Sequence, residues 1–99
     1  MFKLEWFEEA KKDYDKLEGS QKIQVNKGLQ KISERGMSAG KRLEKREVDL
    51  SMCREIKLKR LGLRIIFRES SKGIEIIEII VVGKRSDNEV FRIAKERLR

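Results

Sequence analysis

Histidine and proline are absent from this chain of 99 residues, and Cys53 is its single cysteine. Without histidine, no Ser–His or Cys–His nucleophilic scheme can be built, and too few soft ligands remain for a zinc site. An enzyme with this composition must move protons with Glu, Asp, Lys, Tyr, Cys or groups of the substrate itself. One cysteine excludes an internal disulfide. Turns without proline fall to Gly, Ser and Asn. No apolar run reaches the ~18 residues of a membrane span, and no charged, then apolar, then small-residue leader opens the sequence. The expectation is a cytoplasmic protein with no membrane partner, no metal and no cofactor.

What remains is rich in charge. Hydrophobic residues make up 38% and charged residues 42%. That balance suits one globular domain over residues 1–99 with a heavily charged surface. The net charge of +8 is unevenly placed. Residues 1–40 hold 8 basic and 7 acidic side chains, residues 41–72 hold 11 and 5, and residues 73–99 hold 6 and 5. A solvated face mixes signs, whereas an excess of one sign in the middle third points to an anionic partner, a nucleic acid or an acidic protein.

Hydrophobic spacing sets out the elements. Phe2, Leu4 and Trp6 alternate with Lys3 and Glu5, a short strand pattern. Phe7, Ala10, Tyr14 and Leu17 recur at helical spacing, and Val25, Leu29 and Ile32 give a second helical stripe. Gly19 breaks between the two helices, Ser20 is the expected cap of the second, and Gly36 is its expected end. Residues 36–51 lack periodicity and read as a long, exposed, charged connection.

Three strands follow. In the first, Ile56 and Leu58 face one way and Glu55, Lys57 and Lys59 the other. After a turn at Gly62, Leu63, Ile65 and Phe67 share one face, with Arg64, Ile66 and Arg68 opposite. Ser70 to Gly73 is a second turn signal, and the run from Ile74 to Val82 is apolar enough to be a central strand ending at Gly83. Ser86 and Glu89 form a capping box for a last helix striped by Phe91, Ala94 and Leu98. The predicted class is α+β: a small antiparallel sheet of about four strands, an N-terminal helical hairpin and a C-terminal helix.

Two stretches imitate a phosphate loop and fail. Gly83-Lys84-Arg85-Ser86 has Glu78 where the first glycine belongs, and the stretch from Gly36 to Lys41 is too short and continues into Arg42. The stronger candidate is a cation cluster. Lys57 and Arg64 lie across a short turn on neighbouring strands, and Arg85 stands just before a helix N-terminus, where free N–H groups and the dipole favour an anion. Such a set can hold a phosphodiester and stabilise the extra charge of a pentacoordinate transition state. It can equally pair with Glu55, Glu69 and Glu78 across the sheet. Phe91 can stack on a base or fill the core. Glu55 can act as a general base or as an ion-pair partner. Lys59, Arg60, Lys41, Arg42, Lys45 and Arg46 read as generic backbone contacts. Cys53, with no activating neighbour in the sequence, reads as inert and partly buried.

The segments IKLKRLGLRIIF and IIVVGKRSDNEVFRIAKERL resemble the RelE/ParE superfamily of type II toxins, the RelE branch being nearer. The resemblance implies a small twisted antiparallel sheet with a helical hairpin and a C-terminal helix. It implies a ribosome-dependent mRNA endoribonuclease that needs no metal and uses the ribose 2′-hydroxyl to attack the adjacent phosphate. The implied partners are a cognate antitoxin, mRNA in the ribosomal A site and ribosomal RNA. Lys57, Arg64 and Arg85 match the family's phosphate-binding positions. Glu55 stands where the family has a second lysine, and Phe91 where it has a tyrosine. Two other functions fit the resemblance: a ParE-like gyrase inhibitor without catalysis, and a nucleic-acid-binding homologue that has lost it.

Overall fold

Runs of Ile, Val, Leu and Phe separated by Gly62 and by the Ser71-Lys72 turn build the body of the sheet. The computed structural model describes residues 1–43, 50–84 and 89–99. Strand β1 (Lys3–Trp6) leads into α1 (Glu8–Asp15) and α2 (Gly19–Arg35); a 3₁₀ turn (Gly36–Ala39) and the short β2 (Lys41–Arg42) follow. Then come β3 (Cys53–Leu58), a second 3₁₀ turn (Lys59–Leu61), β4 (Leu63–Ser70), β5 (Gly73–Lys84) and α3 (Glu89–Arg97). Among the described residues the five strands lie in the order β1-β5-β4-β3-β2.

The α+β reading holds, with two additions. β2 adds a strand inside the stretch expected to be a connection, pairing antiparallel with β3. β1 joins β5 in parallel, from Lys3 opposite Ile76 to Trp6 opposite Ile79, so the sheet is mixed. A parallel neighbour requires a crossover, and the helical hairpin begins it.

Each face of the sheet buries its own layer. Ile56, Leu63, Ile65, Phe67, Ile77, Ile79 and Val82 pack with Ala10 of α1 and with Val25 and Ile32 of α2. On the other face, Cys53, Ile66, Ile80 and Val81 pack with Leu50 and with Val90, Phe91 and Ala94 of α3. Strict alternation would send Ile80 and Val81 to opposite sides. The register between β4 and β5 shifts between Ile66, opposite Val81, and Phe67, opposite Ile79. That bulge leaves Ile80 unopposed and turns both Ile80 and Val81 toward α3.

The same place is where β1 ends and the β5 edge falls open. Side chains close it. Asp13 Oδ2 accepts the Val82 N–H at 3.1 Å, and Arg97 Nη1 donates to the Ile80 carbonyl at 2.9 Å. Arg97 also grips Asp13 with both arms, at 2.7 and 3.1 Å. One ion pair thus ties α1, the sheet and the end of α3 together.

Caps follow local chemistry, with one correction. The expected cap of α2, Ser20, lies within the helix; Glu18 caps it instead. Its side chain receives the Gln21 backbone N–H, while Gln21 Oε1 accepts the Glu18 N–H at 3.0 Å. The Glu18–Gln21 box sets the start of the helix, so Gly19, expected to break between the helices, is the first residue of α2. Gly36 does end α2, with φ of 62°. A Cβ at Gly36 would lie 2.5 Å from the Phe2 ring, so both backbone and packing require glycine. β5 runs through Gly83 to Lys84 instead of stopping at the glycine. The Ser86 capping box lies outside the described residues. No helix among the described residues is long and apolar enough to cross a membrane.

Candidate functional site

Lys57 and Arg64 are direct cross-strand partners at the Gly62 end of β3 and β4. Residues opposite one another in an antiparallel pair project to the same face. Glu55, two residues before Lys57, shares that face, which is the side covered by α3. On β5 the residue opposite Arg64 is Gly83, where a Cβ would lie 3.4 Å from Val81 and 3.5 Å from Val90. The site is therefore made by strand register, with one contribution from α3.

That contribution is Phe91. Its ring lies under Arg64, the guanidinium carbon 4.9 Å from the ring centre. A guanidinium over an aromatic face is attracted by the ring quadrupole and held flat. Phe91 is only 3% exposed and belongs to the α3 core layer. The ring face that the sequence offered to a base is thus packed, with an arginine on it. Phe91 supports the site from beneath.

Glu55 is 5% exposed, an unusual setting for a carboxylate. Arg64 Nη1 lies 3.3 Å from Oε1 and 3.4 Å from Oε2, and Lys57 Nζ lies 4.0 Å away. These distances are long for charge-assisted contacts, which run near 2.7–2.9 Å. Among the described residues Oε1 takes no hydrogen bond and Arg64 Nε has no partner, although both atoms are buried. The side chains of Arg64 and Lys57 keep 12% and 34% of their exposure. Among the described residues the cluster thus holds two cations for one acid, with an arginine whose donors are only partly used.

The other predicted residues fall around this group. Lys59 and Arg60 are exposed on the 3₁₀ turn after β3, where Lys59 leaves the strand it was expected to extend. With Lys57, Leu58, Leu61 and Gln24 of α2 they line an open depression beside the site. Lys41 was read as one generic cation among several, yet on β2 it stands directly opposite Glu55. Sequence reasoning missed this because two residues of strand give no periodicity to read. Arg42 is exposed on β2, opposite Arg54. Arg85, Lys45 and Arg46 lie outside the described residues.

The competing carboxylates sort themselves out: Glu55 takes Arg64 and Lys57, while Glu78 takes Arg68 at 2.8 Å. Cys53 is fully buried at 1% exposure, more than expected. Burial pushes its thiol from 9.0 up to about 11, and the nearby Arg68 draws it partly back. Among the described residues no group of three or more Cys, Asp or Glu gathers that could hold a metal.

No family model matches the chain. It is 28% identical over 98 residues to an Escherichia coli protein assigned as a RelE-like toxin, covering 99% of this chain and 98% of that one. Its fold superposes on a free arginine-to-alanine double mutant of E. coli toxin RelE with a TM-score of 0.77, at 27% identity over 99% of this chain and 98% of that one. It superposes on the isolated E. coli RelE toxin with a TM-score of 0.71, at 26% identity over the whole of both chains. The intact E. coli RelBE toxin–antitoxin complex gives 0.70, at 26% identity over 88% of this chain and 100% of that one. Matched from end to end in both sequence and fold, the chain is similar throughout to toxins of the RelE branch of the RelE/ParE superfamily.

Proposed function

We propose that this chain is the toxin of a type II toxin–antitoxin pair and acts as a ribosome-dependent mRNA endoribonuclease in the cytoplasm. The observation that carries the proposal is the meeting of Lys57 and Arg64 on one sheet face, with Phe91 seating the guanidinium and donors left over on it. The ribose 2′-oxygen forms a bond to the adjacent phosphorus, and the bond from phosphorus to the 5′-oxygen breaks. The products are a 2′,3′-cyclic phosphate and a free 5′-hydroxyl.

Lys57 and Arg64 bind the scissile phosphate and take up the charge that grows on it, with Arg85 joining them. Preorganised donors aimed at developing charge are the largest single contribution in many enzymes. Phe91 has no proton to exchange and the Glu55 carboxylate is held by two cations, so in this reading protons pass to and from solvent. Lys59, Arg60 and Lys41 contact the messenger backbone and ribosomal RNA, in keeping with the net charge of +8. RelE of E. coli has been solved with an antitoxin peptide and in an intact RelBE complex. By that analogy a cognate antitoxin protein covers this chain's basic face.

The test is a cleavage assay on ribosomes programmed with mRNA, read by primer extension. Discrete cuts within translated codons that vanish in Arg64→Ala are expected. Intact mRNA accompanied by DNA damage on induction would move the chain to a gyrase-directed activity. Intact mRNA with neither effect would leave a binding protein without catalysis.

A further inference from the structure

We infer that Glu55 is a built-in competitor for the phosphate seat: in the resting protein its carboxylate occupies Lys57 and Arg64, and an incoming phosphodiester must displace it. The inference rests on the phosphate reading of the site and goes beyond it by assigning Glu55 the control of anion affinity. A carboxylate and a phosphodiester carry the same single charge and accept from the same donors. Glu55 sits where such an anion would have to sit, within 3.3 Å of Arg64 Nη1 and 4.0 Å of Lys57 Nζ.

It holds that seat poorly. Among the described residues only Nη1 of Arg64 is engaged, Nε has no partner, and Oε1 takes no hydrogen bond. A tetrahedral phosphate has oxygens enough to meet Nε, the free side of the guanidinium and Lys57 together, so it answers the donors that Glu55 leaves idle. Phe91 keeps the guanidinium in place from the α3 side during the exchange.

The exchange is nearly even for a singly charged ground state. As the phosphate gains charge toward the transition state, the balance tips against the carboxylate. Glu55 therefore weakens ground-state binding and leaves transition-state stabilisation to the cations, the direction in which binding energy serves rate.

The experiment uses the full chain and two probes: a short RNA made uncleavable by 2′-O-methylation, followed by fluorescence anisotropy, and inorganic phosphate, followed by NMR. Glu55→Gln is expected to bind both probes about tenfold more tightly at low salt, since one opposing charge is removed from beside the phosphate. The salt dependence should steepen by about one phosphate contact. On programmed ribosomes its half-saturating concentration should fall with it. Equal or weaker probe binding would overturn the inference. So would a saturated cleavage rate lower by ~10²–10⁴, the loss of a general base. Should the buried amide disturb the fold, as the amide fingerprint spectrum would report, Glu55→Met removes the same charge at similar length and gives the same comparison. Arg64→Ala separates the two layers of argument. If it leaves probe binding intact, the phosphate site itself is wrong; if it weakens binding while Glu55→Gln fails to strengthen it, only the competitor role is lost.

Discussion

Two arginine–carboxylate contacts in this molecule have opposite characters. Arg97 meets Asp13 with both arms, at 2.7 and 3.1 Å, and the pair also satisfies the Ile80 carbonyl and the Val82 N–H. Arg64 meets Glu55 with one arm, at 3.3–3.4 Å, and leaves a nitrogen and an oxygen buried without hydrogen bonds among the described residues. The first contact is spent: every group in it closes a sheet edge. The second has donors in reserve. A buried unsatisfied polar group typically costs about 1–3 kcal/mol. A fold that keeps such groups in one place and saturates them in another has separated the part that holds it together from a part with donors to spare.

Mutations that exchange the two behaviours would break the comparison. The largest effect is expected at the reserve contact: Arg64→Ala should lower ribosome-programmed cleavage by ~10²–10³-fold, the usual loss for one transition-state donor, while the amide fingerprint spectrum shows the domain still folded. Arg85→Ala should likewise relieve growth arrest on induction while the domain stays folded. A fully toxic variant at either position would remove the assignment.

Next comes the saturated contact. Arg97→Ala leaves Asp13 and the Ile80 carbonyl short of a partner and should destabilise by about 2 kcal/mol. In a domain of this size that lowers the melting temperature by roughly 8–16 °C. Urea unfolding would measure it, and a loss below ~0.5 kcal/mol would mean the edge is closed by other means.

Phe91→Leu should sit lower still. It keeps an apolar side chain in the α3 layer but removes the ring under Arg64, so cleavage should fall about tenfold with a smaller change in stability than Arg97→Ala. Equal cleavage by the leucine variant would show that the ring is core alone. A half-buried pair on the sheet marks the bottom of the scale. Arg68 and Glu78 meet at 2.8 Å with side chains 34% and 20% exposed. Glu78→Gln should change stability by only about 0.5 kcal/mol.

Cys53 offers a check on the α3 layer through pH. Its folded thiol titrates near 11 against an ordinary 9.0. Below pH 9 folded and unfolded chains both keep the proton and the thiol contributes no pH dependence. From there toward 11 the unfolded chain releases its proton while the folded one retains it, so this contribution lowers stability as pH rises. Thiol-directed reagents should react slowly at neutral pH and quickly after denaturation.

Much of the candidate site's strand geometry was legible before any coordinates. Gly62, with φ of 63°, is the turn that sequence chemistry predicts. A short turn between two alternating strands leaves few registers, so Lys57 opposite Arg64 followed from the pattern. The faces of β3 and β4 also followed, because a period of two assigns each residue a side. Legibility failed where a residue's role depends on a remote element. Phe91 read equally as stacking group and core because its helical stripe does not say which strand residue lies above it. Lys41 read as generic because β2 is too short to announce itself.

The chain's own order of residues determined the elements other than β2, the cation-bearing face of β3 and β4, and the absence of any histidine chemistry. These depend on composition and on neighbours within a turn or two, where sterics and periodicity act. Only the tertiary structure decided that β1 runs parallel to β5, that a bulge turns both Ile80 and Val81 toward α3, and that Asp13 and Arg97, 84 residues apart, close one edge. It also decided that Glu55 is buried between Lys57 and Arg64 instead of facing water. Burial and long-range pairing are settled by which surfaces cover one another, and local periodicity carries no record of that.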